Sequence, residues 1–143
     1  MLREARGVTL LELIAVLVVT GTLTGLALPR LMGGVDRWVV GEAREEVVAL
    51  LYRARVEARR QGEAVVEVET GGGVTLEAPA GEVLAQWMPA TSGLEVEVAG
   101  NRDVARLSFG HSGTGRLANA TIRLSRGRVT QEVVVSSYGR VRR

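Results

Sequence analysis

Residues 8–28 read VTLLELIAVLVVTGTLTGLAL, a run of 21 in which Glu12 carries the only charge. A helix needs roughly 20 predominantly apolar residues to cross a bilayer, and this run just reaches that length. Before it stands MLREARG, short and basic, with Arg3 and Arg6 against Glu4. Two ordinary explanations fit poorly. A cleaved secretory signal has an apolar core of roughly 7–15 residues ending in a small-x-small site. Here the small pair Gly25 and Ala27 lies inside the run. A plain membrane anchor matches the length but leaves Glu12 unexplained. A carboxylate near the end of a membrane helix costs on the order of 2–3 kcal/mol and calls for a partner. Failing one, Glu12 is close enough to the start of the run to snorkel to the headgroups.

Beyond the run, Pro29 removes a backbone donor and bends a helix axis. Gly33 and Gly34 weaken the helix further, by roughly 1 kcal/mol each relative to Ala. Asp36 then suits the cap of a new stretch. Val39, Val40, Ala43, Val47, Leu50, Leu51, Ala54 and Ala58 recur at spacings of three and four, which predicts one apolar stripe on a helix ended by Gly62. Arg37, Glu42, Arg44, Glu45, Glu46, Arg53, Arg55, Glu57, Arg59 and Arg60 fill its other faces and read as a solvated surface.

After Gly62 the period changes to two. Ala64-Val66-Val68, Val74-Leu76-Ala78, Leu94-Val96-Val98, Ala105-Leu107-Phe109 and Ala120-Ile122-Leu124 alternate with polar residues; Val129-Val133-Val135 do so less cleanly. Gly-rich and Pro-containing turns separate them. The pattern predicts an α+β protein. Its long N-terminal helix, apolar over 8–28 and amphipathic over 29–61, packs on a β-rich head of six or seven antiparallel strands over 62–143.

The segment Gly7-Val8-Thr9-Leu10-Leu11-Glu12 resembles the type III signal of the type IV pilin superfamily. Resemblance implies that residues 1–7 are a leader which prepilin peptidase removes after Gly7. It then methylates the new amine of Val8, a position where the family prefers Phe. Glu12 becomes the fifth mature residue, implied to meet the N-terminal amine of a neighbouring subunit and set the register of assembly. Pro29 falls where many pilins carry a kinking proline. The head resembles the minor pseudopilins of the GspH and FimT family, which lack the disulfide-closed loop of major pilins. The ending Gly139-Arg140-Val141-Arg142 resembles that family's Gly-Arg-x-Arg close. Implied partners are major and minor pilins, prepilin peptidase and, before assembly, the inner membrane, with the N-terminus cytoplasmic and the head periplasmic.

Composition excludes much chemistry. Cys is absent, so there is no disulfide, thiolate metal site or cysteine nucleophile. His111 is the only histidine, which leaves no usual zinc set and no metal or cofactor expectation. His111 sits in Gly110-His111-Ser112-Gly113-Thr114-Gly115-Arg116, which reads as a wide connection between strands, and no catalytic residue is expected. That loop also lacks the Gly-Lys-Ser/Thr ending of a phosphate-binding P-loop. Asn119-Ala120-Thr121 matches a glycosylation acceptor, a three-residue signal of low specificity.

Charge is segregated. Residues 62–101 carry no Arg and sum to −7, while residues 102–143 sum to +7; all eighteen basic residues are Arg. Arg140, Arg142 and Arg143 end the chain, with Arg123, Arg126 and Arg128 just before them. Strand alternation puts Arg140 and Arg142 on one face, and guanidinium groups hold phosphate oxygens in pairs. In competence-type relatives the resemblance implies contact between these arginines and double-stranded DNA. Aromatics are only 3% of the chain, which argues against a base-stacking platform for single strands and for contact through backbone phosphates. Two functions stay open: a minor type IV pilin that engages DNA in natural transformation, and an H-like pseudopilin of a type II secretion filament with no DNA role.

Overall fold

A computed structural model describes residues 8–89, 93–116 and 118–142, with backbone alone at 29–31. The chain divides into two compact units, Met1–Val35 and Asp36–Arg143. One helix, α1 (Leu10–Gln61), runs through both. It passes Gly33-Gly34 and Asp36 without a break, so the second cap expected at Asp36 does not form. Asp36 instead faces Arg126, with the carboxylate 3.3 Å from Nε and both side chains about three-quarters buried. Pro29 lies among the residues whose side chains are not described. Gly62, at a φ of 92°, ends the helix in the left-handed region that glycine adopts without penalty.

In the first unit the apolar side chains from Leu10 to Leu28 stand exposed, Leu11 at 79%. That exposure suits a lipid or helical environment. The threonines in this stretch do not spoil it. Thr22 Oγ1 donates to the carbonyl of Val19 at 2.8 Å and Thr24 Oγ1 to that of Thr20 at 2.8 Å, so the hydroxyls are satisfied within the helix.

The described residues of the second unit form eight strands: β1 (Glu63–Glu69), β2 (Val74–Glu77), β3 (Val83–Trp87), β4 (Glu95–Val98), β5 (Val104–Gly110), β6 (Ala120–Arg126), β7 (Val129–Val135) and β8 (Val141–Arg142). They form two antiparallel sheets, ordered β3-β2-β1-β5 and β4-β6-β7-β8. Register follows the alternation. Val66 pairs with Leu76 on one side and Leu107 on the other, and Ile122 lies between Val98 and Val133. All of these are buried in one core with Val40, Val47, Leu51, Ala54 and Ala58 of α1. A fully buried Val, Leu or Phe contributes about 1.5–3 kcal/mol, and this shared apolar surface is what closes both sheets onto the helix.

The polar face of α1 departs from a simple solvated surface. Trp87 Nε1 donates to Glu46, and Arg53 donates to the Leu84 carbonyl at 3.2 Å. Both bonds hold β3, the strand that alternation did not reveal. Arg55 donates to the Gly139 carbonyl, and Arg59 Nε reaches the Ser112 carbonyl at 3.4 Å. These side chains flank the apolar stripe, and their stems reach the head where shorter ones would stop.

Candidate functional site

Chemistry-bearing residues gather in two places, one in each unit. In the first, Thr9 precedes α1 and acts as its cap. Its Oγ1 accepts the Glu12 backbone N–H at 3.2 Å, and its carbonyl accepts that of Leu13 at 3.1 Å. Thr9-x-x-Glu12 is the sequence pattern of a capping box, a signal that the apolar reading of this segment passed over. A threonine cap is worth about 0.5–2 kcal/mol, and the positive end of the helix dipole favours a carboxylate in the first turn by about 0.3–1 kcal/mol. Glu12 thus sits where the helix itself offsets part of its cost. It shares a face with Ala15, Val16, Val19 and Thr20, which line a shallow groove of about 280 Å³. Val8 is exposed just ahead of the helix, at 70%. Gly7 lies outside the described residues.

In the second unit the site is the connection from β7 to β8. The Gly139 N–H donates to the Ser136 carbonyl at 2.7 Å, closing a tight turn over residues 136–139. The Arg140 N–H donates to Ser136 Oγ at 3.0 Å, and the Ser136 N–H to the Arg140 carbonyl at 2.9 Å. Three outside contacts fix this turn. The Gly115 N–H donates to the Tyr138 carbonyl at 3.0 Å, Arg55 of α1 donates to the Gly139 carbonyl, and Phe109 packs beneath. Gly139 has a φ of 76°, and a Cβ there would stand 2.8 Å from Gly115 N and 2.9 Å from the Phe109 ring. Only glycine fits, for conformation and for space. Arg55 is half-buried, with its guanidinium 5.6 Å from the centre of the Tyr52 ring.

From this fixed backbone Tyr138, Arg140 and Arg142 project into solvent. With Ser136 they line a cavity of about 380 Å³. Arg140 and Arg142 share a face, as alternation predicts, although β8 itself is only two residues long. Neither forms an ion pair among the described residues. Arg143 lies outside them. The wider basic cluster is narrower than its sequence suggests. Arg123 is held by Glu132 at 2.8 Å with Glu97 at 3.9 Å, and Arg126 by Asp36. The hydrogen bond and charge of Glu132, then the charge of Glu97, raise the pKa of Arg123 above its ordinary value. Arg128 stays exposed on the turn from β6 to β7.

Part of the acidic stretch is engaged on the sheets. Glu67 pairs with Arg106 at 2.5 Å, and Glu63 accepts from Ser108 Oγ at 2.9 Å. His111 is exposed at a loop tip beside Ser112 and Thr114, whose hydroxyls bond each other at 2.6 Å.

Over residues 43–139 the chain matches the family model of type II transport protein GspH. That match ends at Gly139, so Arg140 and Arg142 stand just beyond it. The chain is also 33% identical over 156 aligned residues to Pilin-like protein PilA1 of Thermus thermophilus, covering 96% of this chain and 97% of that one. No solved structure matches the chain.

Proposed function

Because the chain belongs to the GspH family of the type IV pilin superfamily, we propose that it is a minor type IV pilin, processed at Gly7, whose head engages DNA through Arg140 and Arg142. Pilin-like proteins of this family are structural subunits that assemble with other pilins, and the apolar part of α1 fits a single-pass membrane anchor. Prepilin peptidase cleaves after Gly7 and methylates Val8. Until assembly the N-terminus is cytoplasmic and the head periplasmic. Glu12, at the cap of α1, pairs with the N-terminal amine of a neighbour and offsets its own desolvation in hydrocarbon.

The observation that supports the DNA reading is a pair of guanidiniums, free of ion pairs among the described residues, that line one cavity on a hydrogen-bonded turn. Guanidinium forks match phosphate oxygens, and fixing the backbone lowers the entropy lost on binding. Phosphate contacts carry no base information, so duplexes of different sequence bind alike. Changing Arg140 and Arg142 to Gln leaves the fold intact, since exposed substitutions shift stability by less than about 0.5 kcal/mol. Duplex affinity falls, and the slope of log affinity against log salt shrinks by roughly 0.9 for each phosphate no longer neutralised. A folded double variant binding like wild type at every salt concentration refutes the site.

The second reading is an H-like pseudopilin of a type II secretion filament without a DNA role. It is favoured by the family model itself, whose description is type II transport protein GspH. Failure of the wild-type protein to bind DNA at low salt selects this reading.

A further inference from the structure

Tyr138 is 79% exposed, yet its backbone is tied down by hydrogen bonds. Its carbonyl is bonded to Gly115, the next carbonyl to Arg55, and the turn that carries it is closed by Gly139 N–H on Ser136. The ring is therefore presented to solvent by a fixed mount. Tyr138, Arg140 and Arg142 recur at every second residue and open onto the same cavity of about 380 Å³, within the roughly 300–1,000 Å³ range of small-ligand sites. Among the described residues the lining holds one aromatic face, two cations and the Ser136 hydroxyl, with no carboxylate. An acidic peptide would use the cations and leave the ring idle. A flat, anion-bearing ligand uses both.

The geometry points to a nucleotide subsite in which the arginines hold a backbone phosphate and the Tyr138 ring stacks on one unpaired base. This rests on the phosphate-binding reading above and narrows it. Inside a duplex each base is already stacked between its neighbours and offers the ring no face. At a single-stranded overhang or a gap, a base is free to leave its strand and lie on Tyr138. Every base has such a face, so the subsite selects unpaired structure over sequence. One ring serves one base, in keeping with a chain so poor in aromatics.

The test uses the full mature chain in detergent micelles. It is titrated with a blunt duplex, and with the same duplex bearing a short single-stranded overhang that contains a fluorescent adenine analogue. In wild type the overhang tightens binding by about fivefold, the lower end of what stacking one base supplies, and the fluorescence is quenched. Total affinity falls as salt rises, but the fold-gain from the overhang holds, because stacking releases no counterions. Tyr138→Phe keeps the gain. Tyr138→Ala loses it while binding the blunt duplex like wild type, which also shows that the variant is folded. If the overhang gives no gain, or Tyr138→Ala keeps it, while blunt duplex still binds through the arginines, the stacking subsite is overturned and the phosphate reading stands. If wild type binds neither DNA, both are overturned.

Discussion

Replacing Gly139 by Ala tests whether the C-terminal turn is as closely packed as its geometry implies. At a φ of 76° an L-residue pays about 1–2 kcal/mol for the left-handed conformation. The added methyl also meets Gly115 N at 2.8 Å and the Phe109 ring at 2.9 Å. Neither can swing aside as the tip of a long side chain would, and overpacking of this kind costs typically about 1–3 kcal/mol. Alanine returns about 0.4–1 kcal/mol by restricting the unfolded chain. The expected net loss is about 1–5 kcal/mol. Gly81 provides the control. Its φ of 80° carries the same conformational cost, but a Cβ there meets nothing within 4 Å. Urea unfolding suits the Asp36–Arg143 unit, which contains every buried apolar side chain described, from Val39 to Val135. Half-buried Trp87, packed against the core, supplies a fluorescence signal. With an m-value of about 1–3 kcal/mol per molar urea, Gly139→Ala lowers the midpoint by at least about 0.3 M and by more than Gly81→Ala, which lacks the packing penalty. Equal midpoints for the two variants would refute the close approach of Gly139 to Gly115, and with it the fixed mount of the arginine site.

Arg55→Ala removes the charged donor to the Gly139 carbonyl, a bond class worth about 1.5–3 kcal/mol. Amide exchange at Gly139 and Arg140 accelerates while that of β1 and β6 is unchanged; unaltered exchange at the turn would show that Arg55 does not hold it. Intact mass of the mature wild-type protein is expected to place Val8 first and methylated, and any other N-terminus sinks the cleavage reading. Glu12→Val is expected to be inserted and cleaved, because the segment becomes more apolar, yet missing from sheared filaments. Normal incorporation removes the support for its pairing with a neighbour's amine.

The helix stripe and most of the strands were legible because each buries one face and exposes the other, as Ala64-Val66-Val68 and Ile122-Leu124 do. β3 was not. Val83 is exposed, Leu84, Ala85 and Trp87 are half-buried, and Gln86 is exposed, so no two-residue rhythm marks it. It is an edge strand held from α1 by Glu46 and Arg53, contacts that sequence spacing does not encode. The helix through Gly33-Gly34 shows the converse: two residues of low helical propensity tolerated inside a long helix. At the site, alternation correctly put Arg140 and Arg142 together. It could not reveal that Arg123 and Arg126 are neutralised by Glu132 and Asp36, or that a loop glycine at 115 braces the glycine at 139. Those pairings depend on tertiary proximity.

A subunit destined to stand shoulder to shoulder with others must keep its sheets from merging with theirs, since an open strand edge is a template for runaway pairing. All four edges of this head are blunted. β8 offers only two residues and carries Arg142. β4 presents Glu95 and Glu97 outward and spans four residues. β3 is followed by Pro89 and adjoins a register shift at Leu76/Glu77. β5, the long one, is partly covered by its own continuation, where Gly110 donates to Thr114 and Arg116 to the Ser108 carbonyl. Crowded heads can therefore touch through side chains without exchanging backbone bonds.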